Sequence, residues 1–191
     1  RGSCSRTPHL QCASRRERVR NGRAHAADRV TQVHRCAVPD ADLFDAPFFR
    51  LTPRQAEMLD PQQRVWLECV HRAMEDAGLP VGGPGHGGDA ASIGVFAGAR
   101  ESTYLWHLVG GNRDAVDELL HRSSDEACQL LLGNDRDSIA TRTSYLMGFT
   151  GPGINVQTAC STSLVAVAQA CESLVSRQCD VGIAGGVAVT F

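Results

Sequence analysis

The sequence contains no lysine, and all nineteen of its basic residues are arginines. This absence excludes mechanisms that require a lysine amine, including Schiff-base catalysis and the phosphate-binding lysine of a Walker motif. Long apolar runs are missing as well. Because a membrane-spanning helix requires about 20 apolar residues, we expect no membrane partner. The net charge of −2 gives no reason to expect a nucleic-acid partner either.

The sequence also lacks pairs of cysteines at the spacing that metal sites use. The eight cysteines are irregularly spaced and include no CxxC pair. Zinc sites and small disulfide-bonded domains usually show regular spacings. We therefore interpret these residues as reduced thiols of a cytoplasmic protein and expect no metal site.

Positive charge is concentrated in residues 1–35, which contain nine arginines against two acidic residues, whereas residues 36–191 carry a net charge of −9. The first segment has no sustained apolar period, and this favours a disordered or non-homologous leader. A basic nucleic-acid-binding arm and a transit peptide are alternatives, although no aromatic residue lies among the arginines. The first methionine is Met58 and the chain ends within an apolar run, which suggests a fragment.

A helix is predicted to begin at Asp60, which can cap it, with Pro61 in its first turn and Gln63 as the capping-box partner. Gly78 is a suitable C-terminal stop. Such a helix would bury an apolar stripe made of Trp66, Val70, Ala73 and Ala77.

The remaining segments alternate between helix and strand. Residues 81–91 are glycine-rich and predict a flexible loop, which lacks the pattern of a phosphate-binding loop. Residues 92–98 read as a buried strand, residues 100–133 as short helices, and residues 134–148 as a helix that buries Ile139, Thr143, Leu146 and Met147. A strand over 154–159, a helix over 160–176 and a strand over 179–191 follow. The last helix has an apolar stripe of Leu164, Ala168, Cys171 and Val175.

Cys160 lies where the chain passes from the predicted strand into the predicted helix. Unpaired N–H groups and the positive end of the helix dipole meet at that point, and both favour a thiolate. We expect the dipole to lower the thiol pKa by about one unit, and the same amides to stabilise the oxyanion of a thioester under attack. The alternative is a small buried hydrophobic cysteine.

Three long segments resemble the β-ketoacyl synthases, specifically the condensing domains of modular polyketide synthases. Residues 156–174 read VQTACSTSLVAVAQACESL and are followed by CDVGIAGGVAV. Upstream, residues 44–68 read FDAPFFRLTPRQAEMLDPQQRVWLE, and residues 137–164 read DSIATRTSYLMGFTGPGINVQTACSTSL. The segments occur in the expected order, and the resemblance covers about residues 40–191.

The resemblance implies an α/β, thiolase-like layered fold (αβαβα), with residues 36–191 forming part of its N-terminal half. It implies that Cys160 is the catalytic nucleophile, which accepts an acyl chain from a thioester for decarboxylative condensation with a malonyl-type unit. It implies no directly bound cofactor, since the phosphopantetheine belongs to a partner acyl carrier protein. Asn155–Thr158 would match the strand at the two-fold interface of a homodimer.

Two departures from the family accompany this resemblance. The family uses two histidines from the second half of its domain for decarboxylation, and none of the seven histidines here falls in a matching motif. Residues 1–29 also replace the apolar strand and glycine-rich turn with which the family opens. We therefore expect little chain extension from these residues alone, and keep as an alternative an inactive remnant that acts in dimerisation or carrier-protein docking. A hydrolase is disfavoured because TACST lacks the glycines of GxSxG.

Overall fold

The computed structural model describes residues 11–14, 34–37, 43–79, 91–110 and 125–189, divided into the units Arg1–Leu43 and Phe44–Phe191. The first unit contains two antiparallel strands, β1 (Gln11–Ser14) and β2 (His34–Ala37), with Cys12 opposite Cys36. Most of residues 1–35 lies outside the described ranges. The leader over residues 1–35 and the domain over 36–191 therefore stay predictions.

Within its described residues, the second unit alternates helices with three strands. Its elements are α1 (Pro53–Met58), α2 (Pro61–Asp76), β3 (Ile93–Ala99), α3 (Tyr104–Val109), α4 (Asp125–Asn134), α5 (Ile139–Met147), β4 (Gly153–Asn155), α6 (Thr162–Val175) and β5 (Val181–Val187). Single 3-10 turns precede α5 at Arg136–Ser138 and α6 at Ala159–Ser161. The predicted glycine-rich loop over 81–91 falls almost wholly outside the described residues.

The three strands form a parallel sheet in the order β4–β3–β5. Every residue of the central strand β3 is buried, which confirms the buried strand predicted for residues 92–98. Strand β4 is shorter than predicted. Among the residues that the structure describes, it pairs only with Val95–Ala97 of β3. After Val156, whose N–H donates to the carbonyl oxygen of Ala97 (2.8 Å), the chain leaves the sheet and turns towards α6.

Helices cover both faces of this sheet. Successive side chains of a strand point to opposite faces, and β3 divides its residues accordingly. Val95 and Ala97 join the larger core cluster with residues of α2 and α5, including Trp66 and Ile139. Phe96 joins a second cluster on the other face, together with Val156, Ala166, Ala170 and Cys179. The second unit is therefore a three-layer structure, with α2 and α5 on one side and α6 on the other.

The start and end of α2 agree with the prediction. The Asp60 side chain accepts a hydrogen bond from the Gln62 backbone N–H (2.8 Å), and Gly78 has a φ of +67° just beyond the helix. The capping box predicted for Gln63 is wrong, because the Gln63 side chain donates instead to the carbonyl oxygen of Asp135 (3.2 Å). A capping box occurs one helix earlier, between Thr52 and Gln55 of α1.

The buried stripe of α2 is only partly as predicted. Trp66 and Val70 are buried, but Ala73 and Ala77 are exposed. Their places are taken by two larger side chains, Leu67 and Met74. The larger residues bury more apolar surface against the sheet, and this sets the rotation of the helix.

Helix α5 confirms most of its prediction. The predicted helix over 134–148 is divided into a 3-10 turn, which Asp135 caps, and the α-helix itself. Its predicted face is buried at Ile139, Thr143 and Met147, and Leu146 is partly buried. The Trp66 indole N–H donates to the Thr143 hydroxyl (2.9 Å) and joins α5 to α2.

The stripe predicted for α6 is wrong. Its four residues, Leu164, Ala168, Cys171 and Val175, are all exposed, and the buried side is formed by Ala166, Ala170 and Ser173. The reason is the distance between helix and sheet. A Cβ added at Gly182 of β5 would lie only 3.2 Å from the Ala170 Cβ, so α6 has room only for small side chains of its own where it faces β5.

Candidate active site: the turn that carries Cys160

Cys160 lies in the single 3-10 turn that connects β4 to α6, and its side chain is exposed. The structure thus agrees with the predicted placement at the junction of strand and helix. It contradicts the alternative of a buried hydrophobic cysteine. The turn follows the carboxyl end of a parallel strand, which is where open α/β sheets place their ligand sites.

The backbone at Ala159 shapes this turn. Ala159 has a φ of +54°, in the left-handed region, and a non-glycine residue pays about 1–2 kcal/mol for that conformation. The surrounding contacts must therefore hold the residue in place. Sequence reasoning missed Ala159, because alanine carries no signal for a left-handed backbone.

Hydroxyl groups fasten the two ends of the turn to each other. The Thr158 N–H donates to the Thr162 hydroxyl (3.0 Å), and the Ser161 hydroxyl donates to the Thr158 carbonyl oxygen (2.8 Å). The Ser161 side chain makes no capping bond to α6. The backbone continues the turn into the helix, because the Thr162 N–H, the first amide of α6, donates to the Ala159 carbonyl oxygen.

Gly98 of β3 has no side chain, and this allows the turn to approach the sheet closely. A Cβ added at Gly98 would lie 2.0 Å from the Val156 carbonyl oxygen and 2.4 Å from the Thr162 Cγ2. These two neighbours flank the turn on its two sides. On β5, a Cβ added at Gly186 would lie 2.9 Å from the Ser163 hydroxyl oxygen. The glycines recurring in both strands were the sequence signal for this close contact, and sequence reasoning did not use them.

A buried glutamine connects the ends of two strands at the same edge of the sheet. The Gln62 side chain donates to the carbonyl oxygen of Arg100 (3.1 Å) and accepts from the Val189 N–H (3.2 Å). Arg100 and Val189 follow β3 and β5, respectively. Gln62, in the first turn of α2, therefore ties the start of that helix to the carboxyl edge of the sheet.

Asn155 fixes the other side of the site. Its side-chain oxygen accepts from the Ala140 N–H (3.1 Å), and its side-chain nitrogen donates to the Asp137 carbonyl oxygen. The end of β4 is thereby held against the beginning of α5. The predicted place of this strand at a two-fold interface stays a prediction.

The sequence makes Tyr104 and Trp106 candidates for lining a substrate channel, although packing is the commoner role of aromatic residues. The Tyr104 hydroxyl donates to the Glu57 carbonyl oxygen (2.8 Å), and the Arg64 guanidinium lies 5.7 Å from the centre of the Tyr104 ring. Trp106 is 60% exposed. Tyr104 thus has a packing role, and a channel role for either residue stays a prediction.

The histidines whose side chains are described do not form a catalytic pair with Cys160. His71 forms an ion pair with Glu75 when it is protonated (3.4 Å) and packs edge-on against Phe48, while His107 is exposed on α3. Within the described ranges, no three His, Cys, Asp or Glu side chains are grouped as a metal ion would require. In the same part of the chain, no helix is long and apolar enough to span a membrane.

Comparisons with known proteins agree with this architecture. Residues 5–191 match the family described as "Beta-ketoacyl synthase, N-terminal domain". The chain is 45% identical over 146 residues to a phenolphthiocerol/phthiocerol polyketide synthase of Mycobacterium tuberculosis, covering 76% of this chain and 9% of that protein. It is 40% identical over 155 residues to the polyketide synthase PksL of Bacillus subtilis, covering 80% of this chain and 3% of that protein.

Solved structures give the same result. The oxazolomycin ketosynthase domain of Streptomyces albus JA3453 superimposes with a TM-score of 0.58 at 33% identity, over 78% of this chain and 23% of that one. The ketosynthase from module 1 of the bacillaene synthase of Bacillus amyloliquefaciens has a TM-score of 0.64 at 25% identity, over 83% and 27%, respectively. These similarities confirm the predicted thiolase-like α/β fold. The exposed cysteine turn thus lies in a chain that belongs to the β-ketoacyl synthase family and matches its N-terminal domain.

Proposed function

We propose that Cys160 is the nucleophile of an acyl-thioester condensing reaction. The observation that carries this proposal is an exposed cysteine on a fastened turn at the start of α6, within a chain of the β-ketoacyl synthase family. The chain spans about a tenth or less of the length of the curated relatives it matches. The condensing activity and its substrates are therefore proposed for this chain and rest on the geometry of the turn.

In the first step, the Cys160 thiolate attacks the carbonyl carbon of an acyl thioester. A bond forms between the sulfur and the carbonyl carbon, the original carbon–sulfur bond breaks, and the departing thiol carries the proton that Cys160 lost. Helix α6 begins at Thr162, shortly after Cys160, so the positive end of its dipole supports this step by stabilising the oxyanion that develops.

In the second step, a malonyl-type unit on an acyl carrier protein loses carbon dioxide. The electron pair of the broken carbon–carbon bond attacks the acyl group on Cys160, and the Cys160 sulfur leaves as a thiolate. The product is a β-ketoacyl thioester on the phosphopantetheine of the carrier. Covalent capture divides one difficult carbon–carbon bond formation into two easier steps. We propose that this chain alone performs the capture but not the extension, since no histidine matches the family's decarboxylation motifs.

The proposed partners are a cytoplasmic acyl carrier protein and a second copy of the domain. In the described part of the chain, β4 is an edge strand that pairs only with β3. An open edge can pair with another chain, and Ile154 of β4 is 39% exposed. These features support the homodimer that the family resemblance implies.

Mass spectrometry after incubation with an acyl thioester tests the capture step. The wild-type chain should gain one acyl group on the peptide that contains Cys160. Cys160→Ala should gain none, whereas Cys171→Ala, which changes another exposed cysteine of α6, should react like the wild type. Folded wild-type protein without an acyl adduct would remove the proposed capture activity.

One observation favours a second candidate function, an inactive remnant that only binds. The outer face of α6 exposes large apolar side chains, with Leu164 at 77% and Val175 at 86%. Exposed apolar faces of this kind mark interaction sites. In that case the chain should associate in light-scattering measurements, and Leu164→Ser should reduce the association, while Cys160 reacts with no acyl thioester.

A further inference from the structure

Residues on and next to helices α1, α4 and α5 line a cavity of about 420 Å³ that is partly open to solvent and that Cys160 does not line. Small-molecule sites commonly measure about 300–1,000 Å³ and combine apolar walls with a few polar groups. This cavity has both components. Its apolar walls include Leu51, Met58 and Leu146, and its polar walls include Gln55 and Arg142. None of the condensing chemistry proposed above uses these residues.

Arg142 is the charged group of this cavity. It is partly buried, and burial lowers the pKa of its guanidinium from the usual value. Within the described ranges it has no hydrogen bond and no ion pair, whereas Arg136 is paired with Glu101 (2.8 Å). A cation that is partly removed from water and has no partner is destabilised. An anion that entered the cavity would relieve this desolvation.

The protein supplies no such anion in the described part of the cavity wall, where no aspartate or glutamate occurs. Gln55 also lines this cavity, and its side chain is neutral. Its side-chain nitrogen donates to the Gln129 side-chain oxygen (3.1 Å), and its side-chain oxygen accepts from the Thr52 N–H (2.9 Å). Both ends of the Gln55 amide therefore have partners, and the guanidinium of Arg142 is left for a ligand.

We propose that this cavity binds a small organic anion, a carboxylate or phosphate on a short apolar chain, whose charged group pairs with Arg142. A guanidinium can donate two parallel hydrogen bonds to either oxyanion. The apolar chain would lie against Leu51, Met58 and Leu146. The site is separate from Cys160, so binding does not depend on the proposed acyl capture.

Calorimetric titration of the 191-residue chain with four probes tests this proposal. Hexanoate and hexyl phosphate carry the anion and the chain, hexan-1-ol carries the chain alone, and inorganic phosphate carries the anion alone. We expect one of the two amphiphilic anions to bind at least about tenfold more tightly than hexan-1-ol, since a hydrogen bond to a charged group contributes that much. The tighter of the two identifies the ligand as a carboxylate or a phosphate.

Two variants locate the binding. Arg142→Gln should weaken binding of the preferred anion at least about tenfold. Gln55→Glu keeps an acceptor for the Thr52 N–H but brings a carboxylate into the cavity, so it should also abolish binding and raise the unfolding temperature. Arg72→Gln, which changes an exposed arginine of α2, and Cys160→Ala should bind like the wild type.

Three results would overturn the proposal. In the first, the wild-type chain binds neither amphiphilic anion. In the second, hexan-1-ol binds as tightly as the anions. In the third, Gln55→Glu binds the preferred anion with unchanged affinity. Circular dichroism shows whether Arg142→Gln is folded. If it is not, Gln55→Glu alone decides, because its capping interaction is retained.

Discussion

Adding one methyl group at Gly98 should damage the candidate active site without touching Cys160. The added Cβ would lie 2.0 Å from the Val156 carbonyl oxygen and 2.4 Å from the Thr162 Cγ2, whereas real contacts of this kind begin near 3.0 Å. The chain on the two sides of the turn must therefore retreat from β3 by about 1 Å. The carbonyl of Val156 belongs to the backbone and has no rotamer that could relieve the contact.

Two energetic effects follow from Gly98→Ala. Overpacking of a closely packed site costs about 1–3 kcal/mol. The displacement also strains the hydrogen bond from the Val156 N–H to the Ala97 carbonyl oxygen (2.8 Å), which contributes about 1 kcal/mol. We expect a loss of about 2–4 kcal/mol in the free energy of unfolding. Acyl capture by Cys160 should fall at least about tenfold, because a misplacement of about 1 Å has large effects on reaction rates.

Gly182→Ala is the matched control for this experiment. Its Cβ would lie 3.2 Å from the Ala170 Cβ, in the middle of α6, so the helix need shift by only a few tenths of an ångström. Urea denaturation should show a smaller loss of stability, and mass spectrometry should show acyl capture like that of the wild type. Equal stability and equal capture in Gly98→Ala and Gly182→Ala would refute the reasoning. The stability comparison stands even if the wild-type chain captures no acyl group.

Three further predictions concern stability. Ala159→Gly should raise the free energy of unfolding by about 0.5–1 kcal/mol in urea denaturation, because glycine removes the strain of the left-handed backbone at some entropic cost; a loss of stability would contradict that account. Asn155→Ala should lower the free energy of unfolding by about 1–2 kcal/mol, and Asn155→Asp, which keeps an acceptor for the Ala140 N–H, should lower it less. Equal losses would show that the hydrogen bond from the Ala140 N–H is unimportant. Burial raises the pKa of Glu68 more than Arg72 lowers it. The Glu68 carboxyl therefore binds its proton more tightly in the folded state than in the unfolded chain. As a result, the free energy of unfolding falls as the pH rises through the ordinary glutamate range. Glu68→Gln should therefore be more stable than the wild type at about pH 7 but not at about pH 3. Glu172→Gln, which changes an exposed glutamate, is the control and should leave the stability unchanged. An equal gain in stability at both pH values would contradict burial as the cause.

The parts of the fold set by strong local signals could be predicted from the sequence. Asp60 and Gly78 mark the two ends of α2, since one can cap the amides and the other tolerates a positive φ. The continuous apolar run over 92–98 indicates a strand that is buried on both faces. Cys160 could be placed at the start of a helix because a polar turn separates two apolar segments of different period. Each of these signals depends only on a few neighbouring residues.

The rotation of α6 could not be predicted, because the usual rule ranks residues by hydrophobicity. That rule selected Leu164 and Val175, which are exposed, over Ala166 and Ala170, which are buried. Size decides here. The facing residues of β3 and β5 include several glycines, so the helix lies close to the sheet and only small side chains fit between them. A contact of this kind depends on residues from three separate segments, and no single segment shows it.

The same close contact explains why the candidate site lies where it does. If larger residues replaced Gly98 and Gly186, α6 would be held farther from the sheet, and the turn before it would lose its support from β3. The left-handed backbone of Ala159 could then relax, since only the surrounding contacts maintain it. The position of the Cys160 sulfur is thus determined by side chains that are absent from the neighbouring strands as much as by those that are present in the turn. A sequence with the same turn but with larger residues in place of these glycines should therefore keep the cysteine but hold its sulfur in a different position.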